Sequence, residues 1–228
     1  FPYTTLFRSM MLPPDILIEP LLREWLREDI GRGDRATSAL IEPTLIPQEA
    51  VWIAKQSGII AGLPIAEKIF HLLGEIVWHP QVSEGESCHQ QEEILRCRAQ
   101  PNTLLSGERV ALNLVMHLSG IATLTRSYME KIADLPTQLV DTRKTTPGLR
   151  GLEKYATQVG GAVNHRFGLD DSAMIKENHI QVAGGVKNAI ARVRAQLPYP
   201  LTIEVETTTQ AEIEEALTTD VDIIMLDN

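Results

Sequence analysis

Residues 141–179 read DTRKTTPGLRGLEKYATQVGGAVNHRFGLDDSAMIKENH, and their order of apolar and polar residues decides the fold. The apolar pair Leu139-Val140 runs into Asp141-Thr142-Arg143-Lys144-Thr145-Thr146-Pro147-Gly148, the pattern of a strand ending in a loop of hydroxyls, cations and turn formers. Leu149, Leu152, Tyr155, Ala156 and Val159 then recur at three- and four-residue intervals, which predicts a helix stopped by Gly160-Gly161. A strand that passes through a polar loop into a helix is half of a β/α unit. In parallel α/β folds, ligands bind at the carboxyl ends of such strands.

Downstream the same alternation continues. Residues 173–175, 201–205 and 222–226 read as strands and residues 186–197 and 210–217 as helices, a succession that predicts a parallel sheet or barrel. Upstream the pattern differs. Strand-like runs at 50–55, 58–61, 76–82 and 94–99 surround one helix at 64–73, which predicts antiparallel α+β structure. Before them, Pro20 with Leu21, Leu22, Trp25, Leu26 and Ile30 reads as an amphipathic helix with proline in its first turn. Gly31 and Gly33 stop that helix, and Asp34 suits a cap or turn. A long helical pattern starting near Asn102 joins the two halves. The fold class is α/β: an N-terminal α+β sandwich-like domain with its linking helix over residues 10–118, then an incomplete parallel β/α barrel over residues 119–228.

Charge narrows the ligand. Between Arg143 and Arg166 there are five Lys or Arg residues against one acid, Glu153, in a chain of net charge -9. A local cationic site in an acidic protein points to a small anion and away from nucleic acid, whose binding faces give a domain a basic balance. From Glu204 to Asp227 there are eight acids and no Lys or Arg. Glu212, Glu214 and Glu215 fit a solvated helix face. Glu206 and Asp227 stand apart, because each falls at a strand end, one β/α unit from the other. Lys176 follows the strand at 173–175 in the same way. If these strands are parallel neighbours, cations for an acidic substrate and carboxylates for ribose hydroxyls or a Mg²⁺-bound phosphate converge on one rim.

The remaining chemistry is sparse. Cys88 and Cys97 have no metal-site spacing and read as reduced thiols of a cytoplasmic protein. His71, His79 and His89 are scattered without ligand spacing and read as surface or packing residues. The most apolar region, residues 58–78, is interrupted by Pro64, Glu67, Lys68, His71 and Glu75, so no membrane span is expected.

The run DTRKTTPGLR, followed in order by LEKYA, GGAVNHR, GLDD and IKENH, resembles the quinolinate phosphoribosyltransferase family. EDIGRGD (28–34), GERVALN (107–113), LSGIAT (118–123) and the EVE and LDN pieces extend the resemblance from Leu21 to Asn228. It implies transfer of phosphoribosyl from phosphoribosyl pyrophosphate to quinolinate with loss of CO₂, giving nicotinate mononucleotide for NAD biosynthesis. It also implies Mg²⁺ as cofactor and a homodimer or larger assembly. By the same resemblance, Arg143, His165 and Arg166, with Arg109 from a partner subunit, bind the quinolinate carboxylates. Lys144 and Lys176 contact quinolinate or the phosphates, and Thr142 is a weaker contact. Glu206 and Asp227 face ribose and metal, leaving Lys144, Glu206 and Asp227 as the catalytic set.

Other readings stay open at this point. Arg109 could pair with Glu108 on the helix surface, and His165 could be a structural donor. Arg150 and Lys154 could be surface charges or phosphate contacts. The whole chain could instead be a molybdenum-transport-associated paralogue, which Lys176 and the intact Asn164-His165-Arg166 argue against, or a non-catalytic binding or dimerisation remnant. The first nine residues, FPYTTLFRS, read like one frame of a sequencing adapter, with Met10-Met11 as the expected start. The chain stops after the LDN piece, where the family continues through further β/α units with a glycine-rich phosphate loop. An open barrel, unstable or inactive by itself, is therefore the expectation.

Overall fold

A computed structural model of the chain describes residues 12–42 and 46–227. The adapter-like run, Met10-Met11 and Asn228 of the LDN piece lie outside the described residues. Two compact units divide between His165 and Arg166.

In the first unit, helices α1 (Asp15–Ile30) and α2 (Arg35–Leu40) precede β1 (Gln48–Ile53), β2 (Gly58–Ile59), α3 (Leu63–His71), β3 (Ile76–Pro80), β4 (Ser87–Cys88) and β5 (Glu93–Ala99). Then come α4 (Pro101–Lys131) and α5 (Arg150–Gly160). Strand β5 is the centre of an antiparallel sheet, β1-β5-β3, as the sequence predicts. Its apolar face carries Leu95 and Cys97, on which α3 lays Ile65, Ala66, Ile69 and Phe70. Phe70 packs with Trp52 and Trp78 at centroid separations of 6.2 and 5.8 Å, and full burial of such a side chain contributes about 1.5–3 kcal/mol. Cys88 and Cys97 are buried free thiols, and burial pushes Cys97 up to about 11.

In the two-residue pair β2-β4, β2 falls in the run 58–61 that reads as a strand, whereas β4 does not read as one, and the backbone of the pair is completed by a helix. Ile59 N donates to Thr123 Oγ1 at 2.8 Å and Ala61 N to Ser119 Oγ at 3.0 Å, so two hydroxyls one turn apart on α4 serve as its edge partners. Nearby, the Glu84 carboxylate accepts from Gly62 N, Leu63 N and Tyr155 Oη and so closes the start of α3. Burial nevertheless raises its pKa, those hydrogen bonds opposing it. Asp34 is the N-cap of α2 and also accepts from Ser106 of α4.

Three expectations change. Helix α1 begins at Asp15, so Pro20 lies inside it and not in its first turn; burial of Ile18 extends the helix past the proline. The strand expected to end at Leu139-Val140 is not formed in full, only an isolated parallel bridge between Val140 and Val163. Residue 118, the boundary read from sequence, lies within the unbroken α4. The compact unit continues to His165 because α5 packs on α4. Gly160 marks that contact: a Cβ there would come within 2.7 Å of the Ala122 carbonyl oxygen.

The second unit alternates β6 (Ala173–Ile175), α6 (Glu177–Ala183), α7 (Val186–Arg194), β7 (Ile203–Thr207), α8 (Gln210–Leu217) and β8 (Ile223–Leu226). The strands are parallel in the order β6-β7-β8, as the alternation predicts. Ile175, Ile203 and Val205 pack against Val186, Ala189 and Ile190 of α7 and Ala216 of α8. Two acids read as solvated are helix caps. Glu212 accepts from Thr208 N and Thr209 N at the start of α8, and Glu215 accepts from Lys187 N at the start of α7. No helix among the described residues is long and apolar enough to cross a membrane.

Candidate active site

The cationic loop grows out of the Val140–Val163 bridge. Val163 N donates to Leu139 O at 2.8 Å and Asp141 N to Val163 O at 3.1 Å, so the two segments leave the bridge side by side. Short-range bonds then fold the loop: Lys144 N to Thr142 Oγ1 at 3.0 Å, Thr145 N to Arg143 O at 3.0 Å, and Arg150 Nε to Thr145 Oγ1 at 3.1 Å. As a result Thr142 and Lys144 are exposed, whereas Arg143 is half-buried. Its Nε is buried and has no hydrogen-bond partner among the described residues. A buried cationic donor without an acceptor is costly, and an anion would relieve that cost.

Glu153 ties the loop to the helices. It accepts from Thr146 N at 3.0 Å and from His117 Nε2 of α4 at 3.0 Å. Burial raises its pKa, but the bonds from Thr146 and His117 outweigh burial and leave it lowered. A depressed carboxylate stabilises the fold above its unfolded pKa of about 4.3, and that stabilisation is lost as pH falls through the folded value. Glu153→Gln should therefore melt below wild type at pH 7. The difference in Tm, followed by circular dichroism, should start to close below the unfolded value of about 4.3 and vanish as pH falls through the lower folded one.

Lys154 is neither a surface charge nor a phosphate contact. It is 2% exposed, with Nζ bonded to Asp141 Oδ1 and to His165 O. The reason lies in the two faces of α5. Leu152, Tyr155, Ala156 and Val159 face the apolar core, while Arg150, Lys154 and Thr157 recur at four- and three-residue spacing on the other side, beneath the loop. Asp141 likewise turns inward. His165 keeps a half-buried position with its backbone N–H held by Asp141 at 2.8 Å. Arg109 is exposed on α4 and forms no ion pair with Glu108 among the described residues.

In the second unit, parallel register puts Met174, Glu204 and Ile223 in one row and, one step further, Ile175, Val205 and Ile224 in the next. Side chains alternate, so Glu204 and Glu206 share the face turned away from the helices, with Glu204 buried deeper. At the carboxyl end of that face Lys176 pairs with Glu206. Asp227 follows β8 on the same face, its N–H donating to Thr207 O at 3.0 Å. Lys176, Glu206 and Asp227 are thus brought to one strand end. Arg166 donates from Nη1 to Ser172 O at 2.9 Å, ahead of β6. No cluster of three or more His, Cys, Asp or Glu able to hold a metal occurs among the described residues.

Of two cavities in the first unit, one lies away from the loop and the other reaches Asp141 and Thr157 behind it. One of about 730 Å³ is bordered by Arg98, Asn102 and Thr103, and one of about 220 Å³ by Leu124, Tyr128 and Val140. Neither is lined by Arg143, Lys144 or His165.

The chain matches the quinolinate phosphoribosyl transferase N-terminal domain over residues 34–119 and its C-terminal domain over residues 121–228. It belongs to the quinolinate phosphoribosyltransferase family. A probable carboxylating nicotinate-nucleotide pyrophosphorylase of Synechocystis is 54% identical over 95% of this chain and 73% of its own length. A probable carboxylating nicotinate-nucleotide pyrophosphorylase of Bacillus subtilis is 42% identical over 92% and 73%. Among solved structures, NadC from Streptococcus pyogenes superposes with a TM-score of 0.91 at 40% identity, over 96% of this chain and 77% of that one. The Francisella tularensis nicotinate-nucleotide pyrophosphorylase gives 0.89 at 36% identity, over 96% and 78%. The fold, an N-terminal α+β domain followed by β/α units, is that of the family.

Proposed function

We propose that the protein transfers phosphoribosyl from phosphoribosyl pyrophosphate to quinolinate with decarboxylation, producing nicotinate mononucleotide, pyrophosphate and CO₂. The observation that carries this reading is the Arg143-Lys144 loop: in an acidic chain of this family it presents an exposed ammonium beside a buried guanidinium N–H that lacks an acceptor. A dianionic aromatic acid supplies such acceptors. Arg143, His165 and Arg166 bind its carboxylates, together with Arg109 donated across a homodimer interface. Exposure of Arg109 supports that last role. Lys144 and Lys176 contact quinolinate or the phosphates, with Thr142 at the margin.

The ring nitrogen of quinolinate attacks C1 of the ribose. The bond from C1 to pyrophosphate breaks, and its electron pair leaves with the pyrophosphate. Positive charge gathers on the sugar, where the carboxylates of Glu206 and Asp227 stabilise it, and negative charge gathers on the leaving group, where cations do the same. Mg²⁺ bound to phosphoribosyl pyrophosphate would offset the charge of the leaving pyrophosphate, with Glu206 and Asp227 as the residues that would face it. Two carboxylates, one already paired to Lys176, suit an ion carried mainly by phosphate oxygens. Loss of CO₂ then leaves an electron pair at C2, stabilised by the adjacent quaternised nitrogen, and a proton fills that position. Two buried free thiols support a cytoplasmic location.

The test is release of CO₂ from quinolinate labelled at the C2 carboxylate. It is run on this chain and on a fusion that adds the part of the Synechocystis relative outside the matched region. Release that needs both substrates and Mg²⁺ supports the assignment. Folded proteins that release nothing and bind no quinolinate overturn it.

A further inference from the structure

We infer that Asp141 and Lys154 form a buried positioning pair that holds the two quinolinate-contacting segments, residues 142–144 and 163–165, in register. This rests on the transferase reading above and adds residues to it that touch no substrate. The pair is closed from solvent, with side-chain exposures of 6% for Asp141 and 3% for Lys154. Among the described residues, its hydrogen-bond partners belong to the segment 163–165 or to α5. Asp141 Oδ1 accepts from Lys154 Nζ and from His165 N, and the single Thr157 hydroxyl proton is shared between Lys154 O at 2.7 Å and Asp141 Oδ2 at 3.2 Å. With its amide turned to donate, Asn164 reaches Asp141 Oδ2 at 2.8 Å and Lys154 O at 3.0 Å. Lys154 Nζ also donates to His165 O at 3.0 Å.

The consequence is mechanical. Asp141 immediately precedes Thr142-Arg143-Lys144, and its carboxylate grips the backbone N–H of His165, while Lys154 grips the carbonyl of the same residue. Beyond the bridge the two segments have no further strand pairing, so this ion pair replaces the ladder. A buried pair is weak evidence of stability, since an apolar replacement of both partners is often neutral. Here that weakness makes the role testable, because stability and positioning separate.

The double variant Asp141→Asn/Lys154→Met removes both charges at nearly constant volume and keeps an acceptor for His165 N. Its Tm should stay within about 4 °C of wild type, the scale of a 1 kcal/mol change in a chain this long. Its Kd for quinolinate, by titration calorimetry, should rise about 10-fold or more, because His165 O has lost its charged donor, a bond of roughly 1.5–3 kcal/mol. Thr157→Val, which removes the hydroxyl shared between Lys154 O and Asp141 Oδ2, should raise Kd about 2- to 10-fold with no loss of folding, and it carries the test if the double variant does not fold. Kd within twofold of wild type in a folded variant overturns the positioning role, leaving the pair merely structural. A wild-type chain that does not bind quinolinate overturns the transferase reading and this inference with it.

Discussion

Replacing Lys144 by alanine should lower kcat for CO₂ release by about 10²–10³-fold, the usual cost of losing one preorganised charge at a developing anion. The residue is suited to such a role. It is exposed, its own backbone N–H is spent on Thr142 Oγ1, and the loop that carries it is fixed from behind by Arg150 and Glu153. The ammonium is therefore delivered by a rigid backbone, and truncation to alanine removes the charge without loosening a core contact. Steady-state kinetics on the fusion protein separate the two ways in which Lys144 can act. A fall in kcat at constant KM places its contribution in the transition state. A rise in KM for quinolinate with kcat intact places it in ground-state binding and refutes the prediction. Unchanged kcat and KM would remove Lys144 from the site altogether.

Much of this arrangement was legible in the sequence, and the misses share one cause. Periodicity reports where apolar side chains go, so the strands of the second unit and the apolar stripe of α5 were placed correctly from Ile175, Val205, Leu152 and Val159. It cannot report a helix covered on two sides. Lys154 lies opposite the apolar stripe and reads as either a surface charge or a phosphate contact, yet the segments around Asp141 and His165 bury it. A signal existed: Arg150, Lys154 and Thr157 share one face, and a polar face that follows a strand-loop element is a candidate lid contact. Thr209 and Glu212, at capping-box spacing, likewise announced a cap where charge alone suggests a solvated face. Ser119 and Thr123 gave no sign of their task, because completing a two-residue strand 58 to 64 residues upstream is a tertiary event. The roles of Arg143, Lys144, Glu206 and Asp227 came from resemblance, and the geometry adds the Lys176–Glu206 pair and the unpartnered Arg143 Nε.

The helix α5 that underlies the site is held at its distance from α4 by a missing side chain, which gives the second large effect. Gly160→Ala should destabilise the protein by about 2–3 kcal/mol, although alanine is the better helix former by about 1 kcal/mol. A Cβ at residue 160 would meet Thr125 Cβ at 2.5 Å and the Ala122 carbonyl oxygen at 2.7 Å. The second of these is backbone, so no rotamer change relieves it and the helices must part. Parting them also pulls on Arg126, whose Nε donates to Gly160 O at 3.0 Å and whose Nη2 spans Val159 O and Gly85 O. Gly120 supplies the control. It lies within α4 with nothing within 4 Å of the point where a methyl group would stand, so Gly120→Ala gains helix propensity without overpacking and should stabilise by roughly 0.5–1 kcal/mol. Urea unfolding of the two variants should thus shift in opposite directions from wild type. A Gly160→Ala midpoint at or above wild type would show that the α4–α5 approach is loose, and with it the support of the loop that carries Arg143 and Lys144.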